Sequence, residues 1–407
     1  MGRRTRRLRG DVPADEPTAK ISARMQRSDH SQPLVLHARV VTGHGGGPDK
    51  TIVTAPRYYR DFGFASQCLY LHPPGDAGFD VIRRRAVEQG TELVEVLDRG
   101  PLDVGVLVRC WRVCRRLKPA IWHGHDYKTN LLGLMLVRAG CPMRLVTTVH
   151  GWVKQTSRTP LYYRIDKWCL PRYRHVYCVS ADQIEACRGL GIAEERLFLL
   201  DNGIDVSIFS RCRTTQQARE GWLRVGEGRL LIGAMGRLSA EKGFDRLIRV
   251  VAAKVADGAA IELVIAGDGD QRASLEHLIV DLGMTSRIRL FGFCEDVQRF
   301  YESLDLFVLS SLREGLPNVL LEAMSFGLPV VSTRVAGVPR LIDHGRNGWL
   351  VDCDDEVALS GAITALLEDR PLRDRLGVAG RRTVEQRFSF PERARHQCLR
   401  YSELLDD

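Results

Sequence analysis

The chain has 407 residues, 44% of them hydrophobic, which exceeds what one core usually supports and is enough for two globular domains. No stretch approaches the roughly twenty consecutive apolar residues of a membrane-spanning helix, and no apolar stretch follows the basic start, so we expect a cytosolic protein. The net charge is +9, and it is uneven: residues 1–200 hold 32 Lys and Arg against 19 Asp and Glu, a charge of +13, whereas residues 201–407 hold 27 against 31, a charge of −4. The basic field of the first half favours phosphate-bearing small molecules, anionic membrane or nucleic acid.

Residues 1–32 are predicted to be a basic, polar and disordered tail. The first ten residues, MGRRTRRLRG, contain five arginines, and the segment as far as Gln32 has few large apolar side chains. Burying so few apolar groups does not offset the conformational entropy lost on ordering. The tail suggests nucleic-acid binding, but the chain has no interleaved aromatic and basic residues and no reader motif, so we expect a solvated arm and no nucleic-acid partner.

Short apolar runs alternate with amphipathic stretches of helical period in the rest of the chain. The first half has such runs at 34–40, 68–72, 92–96, 121–123, 144–149 and 176–180. The second half has them at 230–235, 261–267, 288–293, 304–310 and 329–333. This alternation is typical of parallel sheets with crossover helices, and it predicts an α/β protein with two doubly wound domains.

The predicted domain boundaries follow from where these runs stop. Residues 33–205 are assigned to an N-terminal domain and residues 230–388 to a C-terminal domain. Residues 206–229 contain no strand run and are polar and charged, as expected of a hinge. Residues 389–407 have a proline near their start and predict a terminal helix. A ligand that bridges two such domains would lie in the cleft between them.

A cationic turn follows the first strand of the second half. In GRLSAEKGFD, residues 236–245, the strand ends at Met235 and a helix begins near Lys242, so Arg237 and Lys242 flank a strand-to-helix turn. In an open parallel sheet such turns lie at the carboxyl ends of the strands, where ligands bind, and two cations there can neutralise a diphosphate. A solvated pair of surface charges is the alternative interpretation.

A helix start with two carboxylates lies further along, in REGLPNVLLEAM. Free backbone N–H groups of Gly315, Leu316 and Asn318, together with the positive end of the helix dipole, can hold phosphate oxygens. Glu314 precedes this helix and Glu322 follows eight residues later, and carboxylates beside an anion site are better suited to sugar hydroxyls than to phosphate. Alternatively, Glu314 is only a favourable charge at a helix start and Glu322 an ordinary helical residue.

Five segments in one order resemble the C-terminal domain of the family-four retaining glycosyltransferases: GRLSAEKG, IAGDGD, FGF, EGLPNVLLE and GLPVV. The resemblance implies the GT-B arrangement, in which two Rossmann-like domains face a cleft. It implies a nucleotide-sugar co-substrate, for which we favour a UDP-sugar, and no cofactor or catalytic metal. It also implies that Arg237 and Lys242 hold the donor diphosphate, that Glu322 holds the ribose, and that Glu314 faces the donor sugar as a catalytic residue.

The same resemblance implies donor contacts outside these segments. Gly292, Phe293 and Cys294 match the loop that meets the nucleotide base. In the first half, Gly46 and Gly47 of HGGGPDK match a glycine-rich loop whose backbone can approach a phosphate or a sugar closely. Without the resemblance, this loop would be interpreted as a flexible turn.

Two single residues bear on the sugar. His150 of TTVHGW directly follows a strand, at the position where the family has a histidine facing the donor sugar, so the resemblance implies a second catalytic residue; on its own it would be a structural histidine. Arg340 of VAGVPRLI stands where the family often has a glutamate, a departure that could change donor preference.

Candidate acceptor contacts lie in IWHGHDYKTN, at another strand end: His123, His125, Asp126 and Lys128. A metal site built from the two histidines and Asp126 is the alternative, but a further ligand is missing, so we predict no metal. The eleven cysteines also lack zinc spacing and lie mostly in apolar segments, which favours reduced core thiols.

The basic first half suggests where the acceptor is bound. Residues 104–117 predict an amphipathic helix. Its apolar residues are predicted to face inward: Val104, Leu107, Val108 and Trp111. Its arginines are predicted to face outward: Arg109, Arg112 and Arg116. An anionic membrane would attract such a face, although a sheet-covering helix with a solvated basic face is the alternative. We therefore hypothesise a cytosolic or peripheral enzyme of the inner membrane face with a lipid-linked or polysaccharide acceptor.

The mechanism is expected to retain the anomeric configuration without a covalent enzyme intermediate, with charge on the leaving diphosphate stabilised by groups already in place. A nucleotide-sugar epimerase on a similar fold is the competing enzyme class. In that reading, His150 and Asp126 would serve as the acid and base.

Overall fold

The structure is a computed structural model in which residues 32–101, 103–151 and 159–406 are described. The predicted tail, except Gln32, lies outside these ranges. Two sheets organise the described chain, one of seven strands and one of six, and the strands in each run parallel. The predicted α/β class with two doubly wound sheets is therefore confirmed. No helix within the described ranges is long and apolar enough to cross a bilayer.

The first sheet has the strand order β3-β2-β1-β4-β5-β6-β7. Its strands are β1 (Leu34–Val40), β2 (Ala65–His72), β3 (Leu93–Leu97), β4 (Ile121–Gly124), β5 (Arg144–Val149), β6 (His175–Cys178) and β7 (Leu197–Leu199). The helices along this part of the chain are α1 (Gly47–Thr54), α2 (Pro56–Tyr59), α3 (Asp80–Glu88), α4 (Gly105–Leu117), α5 (Tyr127–Arg138), α6 (Thr159–Cys169) and α7 (Ala181–Arg188). The order reverses between β1 and β4, so this pair of strands forms the switch point of the sheet.

The second sheet has the strand order β10-β9-β8-β11-β12-β13. Its strands are β8 (Leu230–Met235), β9 (Ile261–Ala266), β10 (Ile288–Gly292), β11 (Leu306–Leu309), β12 (Val330–Thr333) and β13 (Trp349–Val351). The helices are α8 (Thr215–Arg219), α9 (Phe244–Ala256), α10 (Arg272–Asp281), α11 (Val297–Glu302), α12 (Asn318–Ser325), α13 (Val338–Leu341), α14 (Glu356–Glu368), α15 (Arg370–Arg387) and α16 (Phe390–Asp406). Here the order reverses between β8 and β11.

Both faces of the second sheet are buried. Adjacent residues on one strand belong to different hydrophobic clusters: Leu231 and Phe307 pack in one, whereas Ile232 and Val308 pack in the other. Successive side chains of a strand point to opposite faces, so each strand needs apolar residues at every position. This is why the central strands appear in the sequence as continuous apolar runs.

The described chain divides into two compact units. Residues 32–148, 159–175 and 394–406 form the first unit, and residues 149–151 and 176–393 form the second. The segment predicted as a hinge, 206–229, lies within the second unit, where Arg213 and Arg219 form ion pairs with Glu302 and Asp305. Helix α16 spans most of the residues predicted to form the terminal helix. The residues of α16 from Ala394 onwards belong to the first unit.

Helix α4 buries a different face from the one predicted. The expected inward residues Val104, Val108 and Trp111 are exposed by 86%, 49% and 37%. The buried residues are Val106, Cys110 and Cys114, which repeat every four residues along one stripe. The segment carries two apolar stripes, and the one with the smaller side chains packs inward. The expectation was therefore wrong for Val104, Val108 and Trp111, which leave an apolar stripe exposed. Leu107 is half-buried, and Arg112 and Arg116 are exposed as predicted.

Candidate active site

Two loops meet at the switch point of the second sheet. One follows β8 and contains Arg237 and Lys242, and the other follows β11 and contains Glu314. Strands β8 and β11 are parallel, hydrogen-bonded neighbours. From β8 the chain continues to β9 on one side of this pair, and from β11 it continues to β12 on the other side. The carboxyl ends of strands at such a reversal leave a crevice in which ligands of doubly wound sheets bind.

Side chains from these two loops are in direct contact. Lys242 Nζ donates to Glu314 Oε1 at 2.6 Å, and Ser311 Oγ donates to the same oxygen at 2.7 Å. The Lys242 and Glu314 side chains are 20% and 11% exposed, so the ion pair is mostly shielded from water. The turns after β8 and β11 therefore meet at this edge of the sheet.

Close backbone packing holds the loops together. Leu312 N–H donates to Glu241 O at 2.8 Å. Gly243 has φ +59°, and a Cβ atom at this position would lie 2.4 Å from Ser310 O. A side chain at residue 243 would therefore force the two loops apart in addition to straining the backbone. The close packing of the two loops explains why the segment GRLSAEKG ends in glycine.

Arg237 differs from Lys242 in having no partner. Its side chain is exposed, and it forms no hydrogen bond or ion pair with any described residue. Six residues separate the strand end at Met235 from Lys242, so both cations occupy one turn. The turn thus offers one unpaired cation and one cation shared with Glu314.

The start of α12 forms a second side of the site. Gly315 and Asn318 are exposed, and the backbone N–H groups of Gly315, Leu316 and Asn318 donate to no other backbone group within the described chain. The carbonyl groups of this turn, in contrast, are held from outside. Gly337 N–H donates to Gly315 O at 3.0 Å, and Asn202 Nδ2 donates to Leu316 O at 2.9 Å. The N–H groups remain available for an anion.

Glu322 lies one turn into α12 and is held by a residue that sequence reasoning missed. Tyr301 OH donates to Glu322 Oε2 at 2.8 Å and lies 3.2 Å from Val319 O. Burial, and secondly the charge of Glu322, hold the pKa of Tyr301 well above its ordinary value, so the phenol remains a neutral donor. The only sequence signal was an aromatic residue in the helix before β11.

The loop after β10 separates its predicted residues. Gly292 has φ +83°, and Phe293 is 80% exposed. Cys294 is buried in the hydrophobic core of the second unit, and burial raises the pKa of its thiol to about 11. Only Phe293 therefore presents an accessible ring surface in this loop, while the Cys294 side chain belongs to the interior.

In the glycine-rich loop of the first unit, one backbone amide is already bound by a side chain of the same segment. Helix α1 begins at Gly47, and Gly46 N–H donates to Asp49 Oδ2 at 2.6 Å. Asp49 is fully buried and lies 2.6 Å from Arg39. The Gly46 amide is thus committed to a helix cap. His150 directly follows β5 and is partly exposed.

The four predicted acceptor residues are committed to internal contacts, which corrects that expectation. His123 is fully buried, with Nδ1 2.6 Å from Tyr401 OH and Nε2 2.7 Å from Thr148 Oγ1. Lys128 is 8% exposed, and its Nζ donates to both oxygens of Asp98 at 2.6 Å. Neither side chain can reach an acceptor from these positions.

The remaining two residues are likewise structural. His125 Nε2 lies 3.0 Å from Nδ1 of His37 on β1. Asp126 caps α5 by accepting from the N–H groups of Lys128 and Thr129, each at 3.0 Å, and burial raises the pKa of its carboxyl against these donors. The sequence motif therefore marks a helix cap and an interior cluster.

Three buried histidines cluster in the first unit: His37, His123 and His125, whose ligand atoms lie within 4.8 Å of one another. The rings of His123 and His125 are stacked, with centroids 4.4 Å apart and planes 14° apart. Metal ligands instead aim their nitrogen lone pairs at one point about 2.0–2.1 Å away. Stacked rings with bonds to Thr148 and Tyr401 favour a hydrogen-bonded cluster, and Asp126 is not part of it.

Comparison with known proteins gives two family matches and several relatives. The model described as Glycosyltransferase Family 4 matches residues 45–208, and the model described as Glycosyl transferases group 1 matches residues 219–383. The chain is similar to the lipopolysaccharide core biosynthesis glycosyltransferase LpsE of Rhizobium meliloti, with 38% identity over 39% of this chain and 46% of LpsE. The chain thus spans about half the length of that curated relative.

Two further proteins are similar over more of the chain. The UDP-Gal:alpha-D-GlcNAc-diphosphoundecaprenol alpha-1,3-galactosyltransferase of Escherichia coli is 27% identical over 66% of this chain and 72% of its own length. Anabaena HepE, solved in complex with UDP, has a TM-score of 0.74 and 20% identity over 91% of this chain and 100% of that chain, which establishes likeness of fold. With the two family models matched in order along its two halves, the chain belongs to the GT-B glycosyltransferases of family four.

Proposed function

We propose that the protein transfers a sugar from a nucleoside diphosphate donor, preferably a UDP-sugar, to a glycan or lipid-linked acceptor in the assembly of cell-surface polysaccharide or lipopolysaccharide. The observation that carries this proposal is the meeting of Lys242, Glu314 and the start of α12 at one switch point. Cations and open amides suit the diphosphate of a sugar nucleotide, and carboxylates suit its hydroxyl groups.

The diphosphate is assigned to the cationic side. Arg237 has no partner in the described chain, Lys242 lies 2.6 Å from Glu314, and the α12 amides carry the positive end of the helix dipole. When the anomeric C–O bond breaks, negative charge grows on the leaving diphosphate. Donors already in place stabilise that charge without reorganisation, which lowers the barrier.

The carboxylates are assigned to the hydroxyl groups of the donor. Glu322, oriented by Tyr301, accepts from the ribose, and Glu314 accepts from the transferred sugar. Ser311 and Lys242 both contact Glu314 Oε1, which fixes the carboxylate beside the diphosphate site. Phe293 is assigned to the base, because an exposed aromatic ring can stack on a nucleobase.

A UDP-sugar is favoured for two reasons. UDP is the nucleotide bound in the HepE structure, and the E. coli relative is named for UDP-Gal as its donor. That relative is also named for a diphosphoundecaprenol, which supports a lipid-linked acceptor here.

Transfer is proposed to retain the anomeric configuration. The acceptor oxygen bonds to the anomeric carbon on the face from which the diphosphate departs, and the acceptor proton passes to a leaving phosphate oxygen. The products are the glycosylated acceptor and the nucleoside diphosphate, so no oxidant or covalent enzyme adduct is needed. His150, partly exposed after β5, is assigned to the donor sugar.

The enzyme is further proposed to act in the cytoplasm and to bind the inner membrane face peripherally through its first unit. The charge of the first 200 residues, with 32 Lys and Arg against 19 Asp and Glu, supports this location. A lipid-linked acceptor would be presented at that surface.

Sugar transfer is tested with radiolabelled UDP-, GDP- and ADP-sugars and lipid extracts as the acceptor source. Label is expected to reach the lipid fraction from the UDP-sugar. Lys242→Ala is expected to lower kcat/KM about 10- to 150-fold, the effect of losing one charge-assisted contact of about 1.5–3 kcal/mol. Lys254→Ala, on the same unit but at the other end of α9, is the matched control.

Two results would count against this assignment. One is equal transfer by the Lys242→Ala enzyme and the wild type. The other is conversion of the nucleotide sugar to its epimer without acceptor, which would favour the competing enzyme class. NMR of the product reports the anomeric configuration, and inversion would contradict the proposed mechanism.

A further inference from the structure

Three neighbouring helices of the first unit share an unusual outer surface. Helix α4 packs against α5, and α5 packs against α6. Their exposed apolar residues, together with Val104 just before α4, define what we name the three-helix surface: Val104, Val108, Trp111, Met135, Val137, Leu161 and Trp168. Large apolar side chains exposed singly are ordinary, but six on three adjacent helices and a seventh just before α4 indicate a surface that another phase or molecule covers.

The apolar residues of this surface are arranged in stripes. Val104, Val108 and Trp111 follow at intervals of four and three residues, so they lie on one side of α4. Leu161 and Trp168 are seven residues apart, two turns along α6, and also share one side of their helix.

The exposed charge on the three helices is positive, although Asp103, just before α4, forms an ion pair with Arg109. Helices α4, α5 and α6 contain one acidic residue, Asp166, which is buried and accepts from Asn130 Nδ2 at 2.8 Å. Arg112, Arg116 and Arg164 are exposed and form no ion pair with any described residue. No carboxylate on these helices therefore neutralises their outer faces.

Both tryptophans are paired with an arginine. The Arg115 guanidinium lies 5.7 Å from the ring centroid of Trp111, and that of Arg172 lies 3.8 Å from Trp168. Trp111 Nε1 also donates to Ala139 O at 3.3 Å, which fixes the orientation of its ring. An aromatic ring beside a cation suits the boundary of a bilayer, where the ring meets acyl chains and the cation meets phosphate.

We propose that the three-helix surface binds an anionic lipid bilayer, with Trp111 and Trp168 at headgroup depth and the aliphatic side chains beneath them. The unpaired arginines complement lipid phosphates, and exposed valines and leucine gain from burial among acyl chains. A nucleic acid would use the arginines but leave the aliphatic ridge in water. The membrane surface is argued from its exposed residues alone. Only its role rests on the proposed function, since membrane binding would hold the first unit at the surface that carries a lipid-linked acceptor.

The test is cosedimentation of the full chain with vesicles of phosphatidylcholine alone or mixed with phosphatidylglycerol. Wild-type protein is expected to bind the anionic vesicles, and the binding is expected to weaken with salt. Arg112→Glu with Arg116→Glu is expected to reduce partitioning at least 25-fold, at about fivefold for each arginine lost. The matched control is Arg375→Glu with Arg382→Glu, two exposed arginines on α15 in the second unit.

Trp111→Ala with Trp168→Ala is expected to weaken binding to anionic vesicles while leaving its salt dependence in place, because the charges remain. The arginine variants serve as the second test, since exposed arginines do not contribute to the core. Equal binding by wild type and the arginine variants would overturn the inference. So would a wild-type dimer that the Trp variants dissociate, or binding of RNA without binding of vesicles.

Transfer to a short soluble acceptor separates this inference from the proposed function. Variants of the three-helix surface are expected to keep the soluble transfer rate of the wild type. Vesicle binding without any transfer would contradict the proposed function and leave the membrane surface supported. Transfer without vesicle binding would refute only the membrane surface.

Discussion

Tyr301→Phe is expected to weaken donor binding without disturbing the fold. The change removes one oxygen, which donates to Glu322 at 2.8 Å, and leaves the ring in a fully buried position. A hydrogen bond to a charged group contributes about 1.5–3 kcal/mol, and losing its orienting effect on Glu322 is expected to cost donor binding about 1–2 kcal/mol. Steady-state kinetics should therefore show a rise of about 5- to 30-fold in the donor KM.

Tyr173→Phe is the matched control for this prediction. Tyr173 is also fully buried, and its hydroxyl donates to Asn130 O at 2.7 Å in the first unit. The control should lose stability in urea unfolding but keep the donor KM of the wild type. An unchanged donor KM in Tyr301→Phe, or an equal rise in Tyr173→Phe, would refute the assignment of Glu322 to the donor.

Three other predictions concern the second unit. Arg340→Asp breaks the 2.6 Å pair with Asp201 and should lower the free energy of unfolding in urea by about 1 kcal/mol, and Asp201→Arg added to it should recover part of the loss; no recovery would contradict a stabilising role for the pair. Gly243→Ala should destabilise by about 2–4 kcal/mol in urea, because its Cβ meets Ser310 O, whereas Gly258→Ala, with positive φ but open space, should cost only about 1 kcal/mol. Similar costs would contradict the close packing of the loops. Burial raises the pKa of the Cys294 thiol to about 11 in the folded protein, so the thiol of the unfolded chain loses its proton at a lower pH than the folded one. The free energy of unfolding should therefore fall as the pH rises from about 9 to 11. Cys294→Ala should reduce that fall when unfolding is measured as a function of pH.

The central strands of both sheets could be predicted because burial on two faces makes them continuous apolar runs. Strands β1, β5 and β8 begin and end at the predicted residues. Strands β7 and β13 were missed. Each has three residues and lies at the edge of its sheet, so neither produces a run long enough to stand out from a loop.

The face of α4 could not be predicted because its sequence offers two apolar stripes. Periodicity identifies a helix, but it does not decide which of two stripes meets the sheet. The stripe with Cys110 and Cys114 is buried, and the larger Trp111 remains outside. That choice depends on the space between helix and sheet, which is a tertiary property.

Some features of the candidate site could also be predicted from the sequence, and others could not. The position of Lys242 at the carboxyl end of a strand followed from the rule that ligands of parallel sheets bind there, but the contact between Lys242 and Glu314 was not predicted. The same rule applied to His123 and Lys128 failed, because strand ends also supply buried polar residues that hold the sheet to its helices. Tyr301 was missed because its contact with Glu322 joins different helices, and no local pattern reports it.

Calorimetric titration of the full chain with UDP measures binding at the switch point of the second sheet without an acceptor. UDP is expected to bind the wild type and Lys254→Ala with equal affinity, and to bind Lys242→Ala at least tenfold more weakly. Equal affinity for all three proteins would contradict a diphosphate site formed by the turns after β8 and β11.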